Sequence, residues 1–275
     1  MISIVLTNGF GNNLFQFIAA KQLADFHKAE ISVICDSKYY GIEELKKLGF
    51  KFKVGKVTGT EYGCNDKNYF SFFNKKFTGK NIKLSGYFED YRYFVENIGG
   101  IKGWLPKIEN KNTEDLVFHF RGGDRLLYNS TFDWKVPINN FVKAIEQFNF
   151  NKLYIVTDMP SWKHITCDDL DKMSFHINVE KSKRVETQKS VDYFNSFVDA
   201  LSKYSPIHQR KSVSEDFSFI RSFDNILFEQ GTLSWWAAAT SNAKKVGVYA
   251  PWRPWKGKSN KNLSKIPLDG WFGWE

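Results

Sequence analysis

Met1-Ile2-Ser3-Ile4-Val5-Leu6-Thr7-Asn8-Gly9-Phe10-Gly11-Asn12-Asn13-Leu14-Phe15 is the stretch that decides the fold. Ile2 to Thr7 is an apolar run of strand length, and Asn8-Gly9-Phe10-Gly11 breaks it as a turn. Leu14, Phe15, Ile18, Ala19, Leu23 and Phe26 then recur at helical spacing, and Ile31 to Cys35 is the next strand. Strand, turn, helix and strand in this order imply a parallel pair joined by a right-handed crossover, and so an α/β fold.

The same alternation continues outward. Residues 55–80 lack periodicity and read as an irregular surface region, after which Ile82 to Ser85 is a strand running into Gly86-Tyr87-Phe88. The polar run Glu109-Asn110-Lys111-Asn112-Thr113 divides the chain into domains 1–112 and 113–275. In the second, Leu116-Val117-Phe118-His119-Phe120 is a strand broken by Gly122-Gly123, and Pro137 suits the first position of a helix with Phe141, Ile145 and Phe148 on one stripe. Leu153 to Thr157 is a strand ending at Asp158, and Val191, Phe194, Val198 and Leu201 mark a long helix. Ser212 with Glu215 forms a capping box. Asn225–Phe228 and Val246–Ala250 are further strands, with a short helix around Trp235–Ser241 between them.

Composition narrows the partners. The chain has 275 residues, room for two compact α/β domains, and a net charge of +9. A basic balance fits nucleic acid, an anionic membrane surface or a phosphorylated substrate. The cations are scattered, and neither a zinc-finger nor an RNP-like motif is present, which argues against nucleic acid. No apolar stretch nears the ~20 residues of a membrane helix, and no signal peptide is visible. The expectation is a cytoplasmic protein without a membrane span, in which the sequons Asn129-Ser130-Thr131 and Asn262-Leu263-Ser264 are chance matches. Cys35, Cys64 and Cys167 have no metal-like spacing and read as reduced and buried. Aromatics make up 17% of the chain, which suits packing or sugar rings equally.

Ligands of open parallel sheets bind beyond the carboxyl ends of the strands. Gly9, Gly11 and Asn12 stand at the first such end, either as a plain tight turn or as a backbone approach to an anion; Leu14 replaces the third glycine of a dinucleotide fingerprint. His119-Phe120-Arg121-Gly122-Gly123-Asp124 stands at the second. Arg121 is either a phosphate fork or half of a structural ion pair, and Asp124 orients it or caps the next turn. Asp158 ends a third strand as a helix cap or a ligand contact. At the fourth, Glu229-Gln230-Gly231-Thr232-Leu233-Ser234-Trp235-Trp236 opens a helix with free N–H groups and hydroxyls, suiting a pyrophosphate or a capped core helix.

In order and spacing these segments resemble glycosyltransferase family 11, the α1,2-fucosyltransferases. Asn8 to Ala19 is similar to the family's G-G-L-G-N-Q-L-F-Q-Y-A opening, and Gly86-Tyr87-Phe88-Glu89-Asp90-Tyr91-Arg92-Tyr93-Phe94 to its G-Y-F-Q-S-x-x-Y-F. His119 to Asp124 resembles H-x-R-R-x-D, and Ile155-Val156-Thr157-Asp158, with Trp162 following, resembles a strand ending F-S-D. Glu229 to Trp236 resembles S-N-S-T-F-S-W-W, and Pro251-Trp252-Arg253-Pro254-Trp255 a later proline-tryptophan element. Gly122 replaces the second arginine, and Glu229 and Gln230 replace a serine-asparagine pair.

The resemblance implies a GT-B architecture, two Rossmann-type parallel-sheet domains facing a central cleft. Residues 1–112 would take the glycan acceptor, with the 55–80 region as its expected place, and 113–275 the GDP-sugar. It implies inverting transfer of L-fucose from GDP-fucose to a glycan hydroxyl in α1,2 linkage, with no metal or other cofactor. Donor-binding residues would be Gly9, Gly11, Asn12, His119, Arg121, Asp158, Gly231, Thr232, Leu233 and Ser234, and catalytic residues Arg121 and Asp124. Of the carboxylates Asp124, Asp158, Glu89 and Glu229, the last two stand where the family has uncharged residues and Asp158 reads as a nucleotide contact, which leaves Asp124 as the base or a reaction with no dedicated base.

Overall fold

In a computed structural model, the described residues are 1–35, 40–74, 80–90, 93–127, 135–173, 186–249 and 270–274. They form two compact units, Met1–Lys107 and Ile108–Glu275. The sequons at 129 and 262, Tyr91 and Arg92, and the Pro251–Trp255 element lie outside the described residues.

The amino-terminal unit contains β1 (Ile2–Val5), α1 (Phe10–His27), β2 (Ile31–Ile34), α2 (Tyr40–Lys47), β3 (Lys53–Val54), β4 (Glu61–Cys64), β5 (Asn81–Leu84) and α3 (Ile98–Trp104). Its sheet runs β3-β2-β1-β5-β4, and every pairing is parallel. The expected irregular region 55–80 is corrected here: it holds β4 and a 3-10 helix at Tyr69–Phe73. Of β4 only Cys64 is buried, and it pairs with β5 alone, so an edge strand of mostly polar residues left no alternation to read. The 3-10 turn is held by the buried Tyr69, whose hydroxyl donates to the α1 carbonyl of Ala19 at 2.9 Å.

α1 is buried on nearly all sides through its first three turns, which explains its nearly continuous apolar and small residues. Its polar exceptions tie β1 to the rest. Gln16 Oε1 accepts from Thr7 N–H at 3.1 Å, and its Nε2 donates to Thr7 Oγ1 at 2.9 Å and to the Gly86 carbonyl at 3.0 Å. Asn13 Nδ2 donates to the Thr7 carbonyl at 2.8 Å. The turns after β1 and β5, which lie side by side, are thereby joined through one buried amide.

The carboxyl-terminal unit contains β6 (Asn112–Phe120), α4 (Gly123–Leu127), α5 (Ile138–Ile145), β7 (Leu153–Thr157), α6 (Cys167–Lys172), α7 (Thr187–Ser202), β8 (Ile207–Gln209), α8 (Val213–Arg221), β9 (Phe223–Phe228), α9 (Thr232–Ala239), β10 (Lys245–Tyr249) and β11 (Trp271–Trp274). The sheet order is β11-β10-β9-β6-β7-β8, again all parallel. From β6 the chain steps outward through β7 and β8, then returns to the other side of β6 and continues through β9, β10 and β11. That is the doubly wound order of a Rossmann-like sheet. Its polar lead-in, 109–113, lies inside this unit, and Asn112 already pairs with Phe223. Leu116, Phe118, Phe120, Leu153 and Ile155 pack against Phe141 of α5 and Phe194 and Phe197 of α7. Trp162 joins that cluster by edge contacts to Phe120, Phe194 and Phe197.

Smaller corrections concern element ends. Pro137 is the residue capping α5, one position before the first turn. Cys64 is buried, its thiol pushed up to about 12 by desolvation, but Cys35 and Cys167 are half-buried because each sits at an element terminus. None of the three forms a disulfide. Among the described residues no helix is long and apolar enough to cross a membrane.

Replacing Gln16 by Leu removes one acceptor and both donors from a buried junction. Unsatisfied buried groups cost about 1–3 kcal/mol each, so Gln16→Leu is expected to destabilise the chain by about 2–4 kcal/mol, read as a fall in its urea unfolding midpoint. An unchanged midpoint would show that the amide is not what holds the turns after β1 and β5 together.

Candidate functional site

The order of strands points to one place in the carboxyl-terminal unit. β6 and β9 are neighbours, but the chain leaves them in opposite directions, so their carboxyl ends flank the crevice where doubly wound sheets take ligands. His119 and Arg121 lie at the end of β6, Asp158 at the end of β7, Glu229 at the end of β9, and Gly231 to Ser234 open α9.

Arg121 is the centre of this group. Its Nη1 donates to Asp158 Oδ2 at 2.6 Å, its Nη2 to Asp124 Oδ1 at 2.8 Å, and its backbone N–H to Glu229 Oε1 at 3.1 Å. The side chain is 29% exposed, as is that of Asp158, whereas Asp124 is at 5%. One guanidinium is thus oriented from two sides while part of it reaches solvent. Two glycines make this possible. A Cβ on Gly123, whose φ is +47°, would meet Asp158 Oδ2 at 2.3 Å. A Cβ on Gly122 would meet Met159 Cγ at 2.7 Å, so the side chain of Met159 fills the space at the position where the resemblance leads one to expect a second arginine.

His119 alternates to the face opposite Phe118 and Phe120, where it meets α9. Its Nδ1 lies 2.6 Å from Ser234 Oγ, and Ser234 is fully buried. The Ser234 hydroxyl therefore engages the imidazole. Burial pushes His119 down to about 4, with Asp158 opposing and Arg121 reinforcing, so the ring is neutral near pH 7. Gly231 caps α9 at φ +134°, a conformation that favours glycine, and Thr232 and Leu233 remain partly exposed beside it. The first-turn N–H groups of an eight-residue helix carry its positive dipole end.

Three further groups complete the cluster. Glu229 is buried at the end of β9, and desolvation raises it to about 8 against the pull of Arg125 and the Arg121 N–H. Lys135 is pushed down to about 7 by burial, with Glu229 opposing, and its Nζ donates to the Leu126 carbonyl at 3.1 Å. Arg125 Nη1 donates to Gln230 Oε1 at 3.4 Å, directly before the α9 turn. Sequence reading passed over Arg125 and Lys135. Neither carried a local signal: Arg125 lies on the short α4 and Lys135 beyond it, and only the fold brings them to Gln230 and Glu229.

The remaining residues belong to the amino-terminal unit. Gly9 caps α1, Gly11 is buried in its first turn, Asn12 is half-buried beside it, and Glu89 follows β5. Asn8, at φ +62°, donates from Nδ2 to Tyr87 Oη at 2.6 Å, so the turns after β1 and β5 meet at that unit's own switch point. Among the described residues no group of three or more His, Cys, Asp or Glu is placed to hold a metal.

Comparison with protein-family models gives no match, and comparison with curated proteins gives none either.

The raised pKa of Glu229 has a definite consequence for stability. Between about pH 4.5, the ordinary value, and about pH 8, the unfolded chain has released this proton while the folded chain keeps it. The unfolded state then binds fewer protons, so this group makes stability fall as pH rises through that window. Glu229→Gln keeps an acceptor for the Arg121 N–H and removes the titration. Its stability relative to the parent chain is expected to increase from pH 5 to pH 8 and to level off above, measured by urea unfolding at each pH. Parallel profiles would mean that Glu229 is ionised in the folded protein.

Proposed function

We propose that this chain is an inverting glycosyltransferase that moves L-fucose from GDP-fucose to a hydroxyl of a glycan acceptor, in α1,2 linkage, on a GT-B arrangement of its two Rossmann-like units. The observation that carries the reading is Arg121: a partly exposed guanidinium, fixed by two carboxylates, at the switch point of a doubly wound sheet and on the same crevice as the opening turn of α9. The motif order along the chain supplies the donor class.

In this mechanism Arg121 contacts the diphosphate of the donor. Negative charge grows on the departing GDP as the glycosidic bond breaks, so the contact strengthens in the transition state and favours turnover as well as binding. Thr232 and the first-turn N–H groups of α9 hold the other side of the diphosphate. Arg125 adds positive charge and steadies Gln230 at the entrance to that turn. Asp124, buried against Nη2, acts as a positioning residue that fixes the fork. His119 and Ser234 brace β6 against α9, keeping the two halves of the cradle in register. Gly9, Gly11 and Asn12 contribute from the amino-terminal unit, and the acceptor hydroxyl, attacking opposite the departing GDP, loses its proton late and to solvent, in an oxocarbenium-like transition state with no dedicated base.

One observation favours a second reading, a GDP-sugar-binding module without turnover: Gly122 gives the site no second arginine at that position, and Met159 occupies the space.

The test uses GDP-fucose, GDP-mannose and UDP-sugars with the full chain. GDP-fucose is expected to raise the melting temperature and to be turned over in the presence of a fucose acceptor. Arg121→Lys keeps the charge and loses the planar fork; it is expected to fold and to lose about 10²-fold or more in kcat/KM, about 2.7 kcal/mol. Stabilisation without any transfer would select the binding module. Near-normal turnover by Arg121→Lys would remove Arg121 from the chemistry.

Thr232 provides an independent check on the other half of the cradle. Thr232→Val keeps the shape of the side chain and removes its hydroxyl. An increase in the KM for the donor of about 5- to 10-fold is expected, as for one lost hydrogen bond of about 1–1.5 kcal/mol. An unchanged KM would make Thr232 a helix-capping residue alone.

A further inference from the structure

The two carboxylates on Arg121 are not equivalent. Asp124 is 5% exposed on α4, whereas Asp158 is 29% exposed in the turn after β7. Asp158 holds Arg121 through Oδ2; its Oδ1 is buried and has no hydrogen-bond partner among the described residues. Its Oδ2 also lies over bare backbone, 2.3 Å from where a Cβ on Gly123 would stand. A small anion therefore fits against the Gly122-Gly123 loop and Nη1 of Arg121 at the same time, and Asp158 is such an anion covalently attached to β7.

We propose that Asp158 is an exchangeable counter-ion: its carboxylate holds the Nη1 face of Arg121 that a diphosphate oxygen takes on binding, while Asp124 keeps Nη2. The proposal rests on the reading of Arg121 as the diphosphate contact and adds how that contact is regulated. Binding becomes the replacement of one anion by another on a fork that stays in place. The guanidinium is oriented before the ligand arrives, by Asp124 from inside and by Asp158 from the solvent side. The ligand must displace a tethered competitor whose effective concentration is high, so a weak single contact does not suffice. A diphosphate can do so because it also reaches the opening turn of α9.

The charges around the site fix the direction of exchange. Arg121 and Arg125 face Asp124 and Asp158, while burial holds Glu229 in its neutral form. Adding a diphosphate while Asp158 remains on Arg121 would set like charges against each other; with Asp158 turned outward, Arg121 and Arg125 face Asp124 and the ligand. Of the two carboxylates Asp158 is the one that reaches solvent, at 29% exposure against 5% for Asp124, so it is the one that can turn outward.

The consequence is a sign that a structural role does not produce. Removing the charge of Asp158 should tighten diphosphate binding, whereas a carboxylate that merely orients Arg121, or one that bonds to the ligand, would loosen it on removal. Calorimetric titration of inorganic pyrophosphate at fixed ionic strength, without added metal, is measured for the parent chain, Asp158→Asn, Asp124→Asn and Arg121→Ala. Asp158→Asn is expected to bind about tenfold more tightly, a change of about 1.4 kcal/mol, and Asp124→Asn more weakly. Asp158→Ser, tested alongside, removes the charge without an amide and is expected to shift in the same direction. Its thermal melt, with that of Asp158→Asn, verifies folding. Equal or weaker binding by both folded Asp158 variants, with binding abolished in Arg121→Ala, would overturn the exchange and leave the Arg121 contact standing. Unchanged binding by Arg121→Ala would instead overturn the contact on which the proposal rests.

Discussion

β6 is hydrogen-bonded to β7 on one edge and to β9 on the other, and both ladders are parallel. Parallel neighbours cannot be joined by a tight hairpin, so each step outward requires a crossover long enough to return to the starting end of the sheet. Every strand then finishes on the same edge. The residues that follow β6, β7 and β9 are gathered there whatever their separation in sequence, which is how Arg121 comes to lie against Asp158 and Glu229. The apolar residues of β6 and β7 meet α5 and α7, while His119 turns to the other face and meets α9. The site is a by-product of covering both sides of a parallel sheet.

Packing and chemistry share residues at that edge. Gly122 and Gly123 are needed because Met159 and Asp158 come too close for a Cβ, and the same approach lets two carboxylates reach one guanidinium. Burial decides the protonation of the neighbours. Glu229 is raised and Lys135 is lowered, each toward its uncharged form, since neither is far enough into solvent to keep its charge without loss. Arg121 retains a solvent-exposed portion and two close counter-ions.

The amino-terminal unit repeats the principle with different residues. Its switch point lies between β1 and β5, and Gln16 and Asn13 spend their amides on Thr7 and Gly86 rather than on solvent. The polar residues that follow the glycine turn thus divide by depth. Asn13 and Gln16 are buried structural ties, and Asn12, half-buried in the first turn, is the one left nearer the surface.

The sequence by itself determined the α/β class. Runs such as Ile2–Thr7 and Leu153–Thr157 and the stripe from Leu14 to Phe26 are local signals, written by which residues must face a core. It also determined where ligand-type residues end a strand, as at Arg121, Asp158 and Gly231. It was silent on β3, β4, β8 and β11, which are short, lie at sheet edges in their units, and bury too little to show a period. Only tertiary structure decided which strands are neighbours, because register between distant segments is set by packing and loop closure and leaves no local trace. It therefore decided that Asp124 is buried while Asp158 reaches solvent, that Ser234 faces His119, and that Lys135 stands close enough to Glu229 for each to feel the other's charge. Exposure and charge coupling depend on what folds over a residue, and that is a property of the assembled sheet.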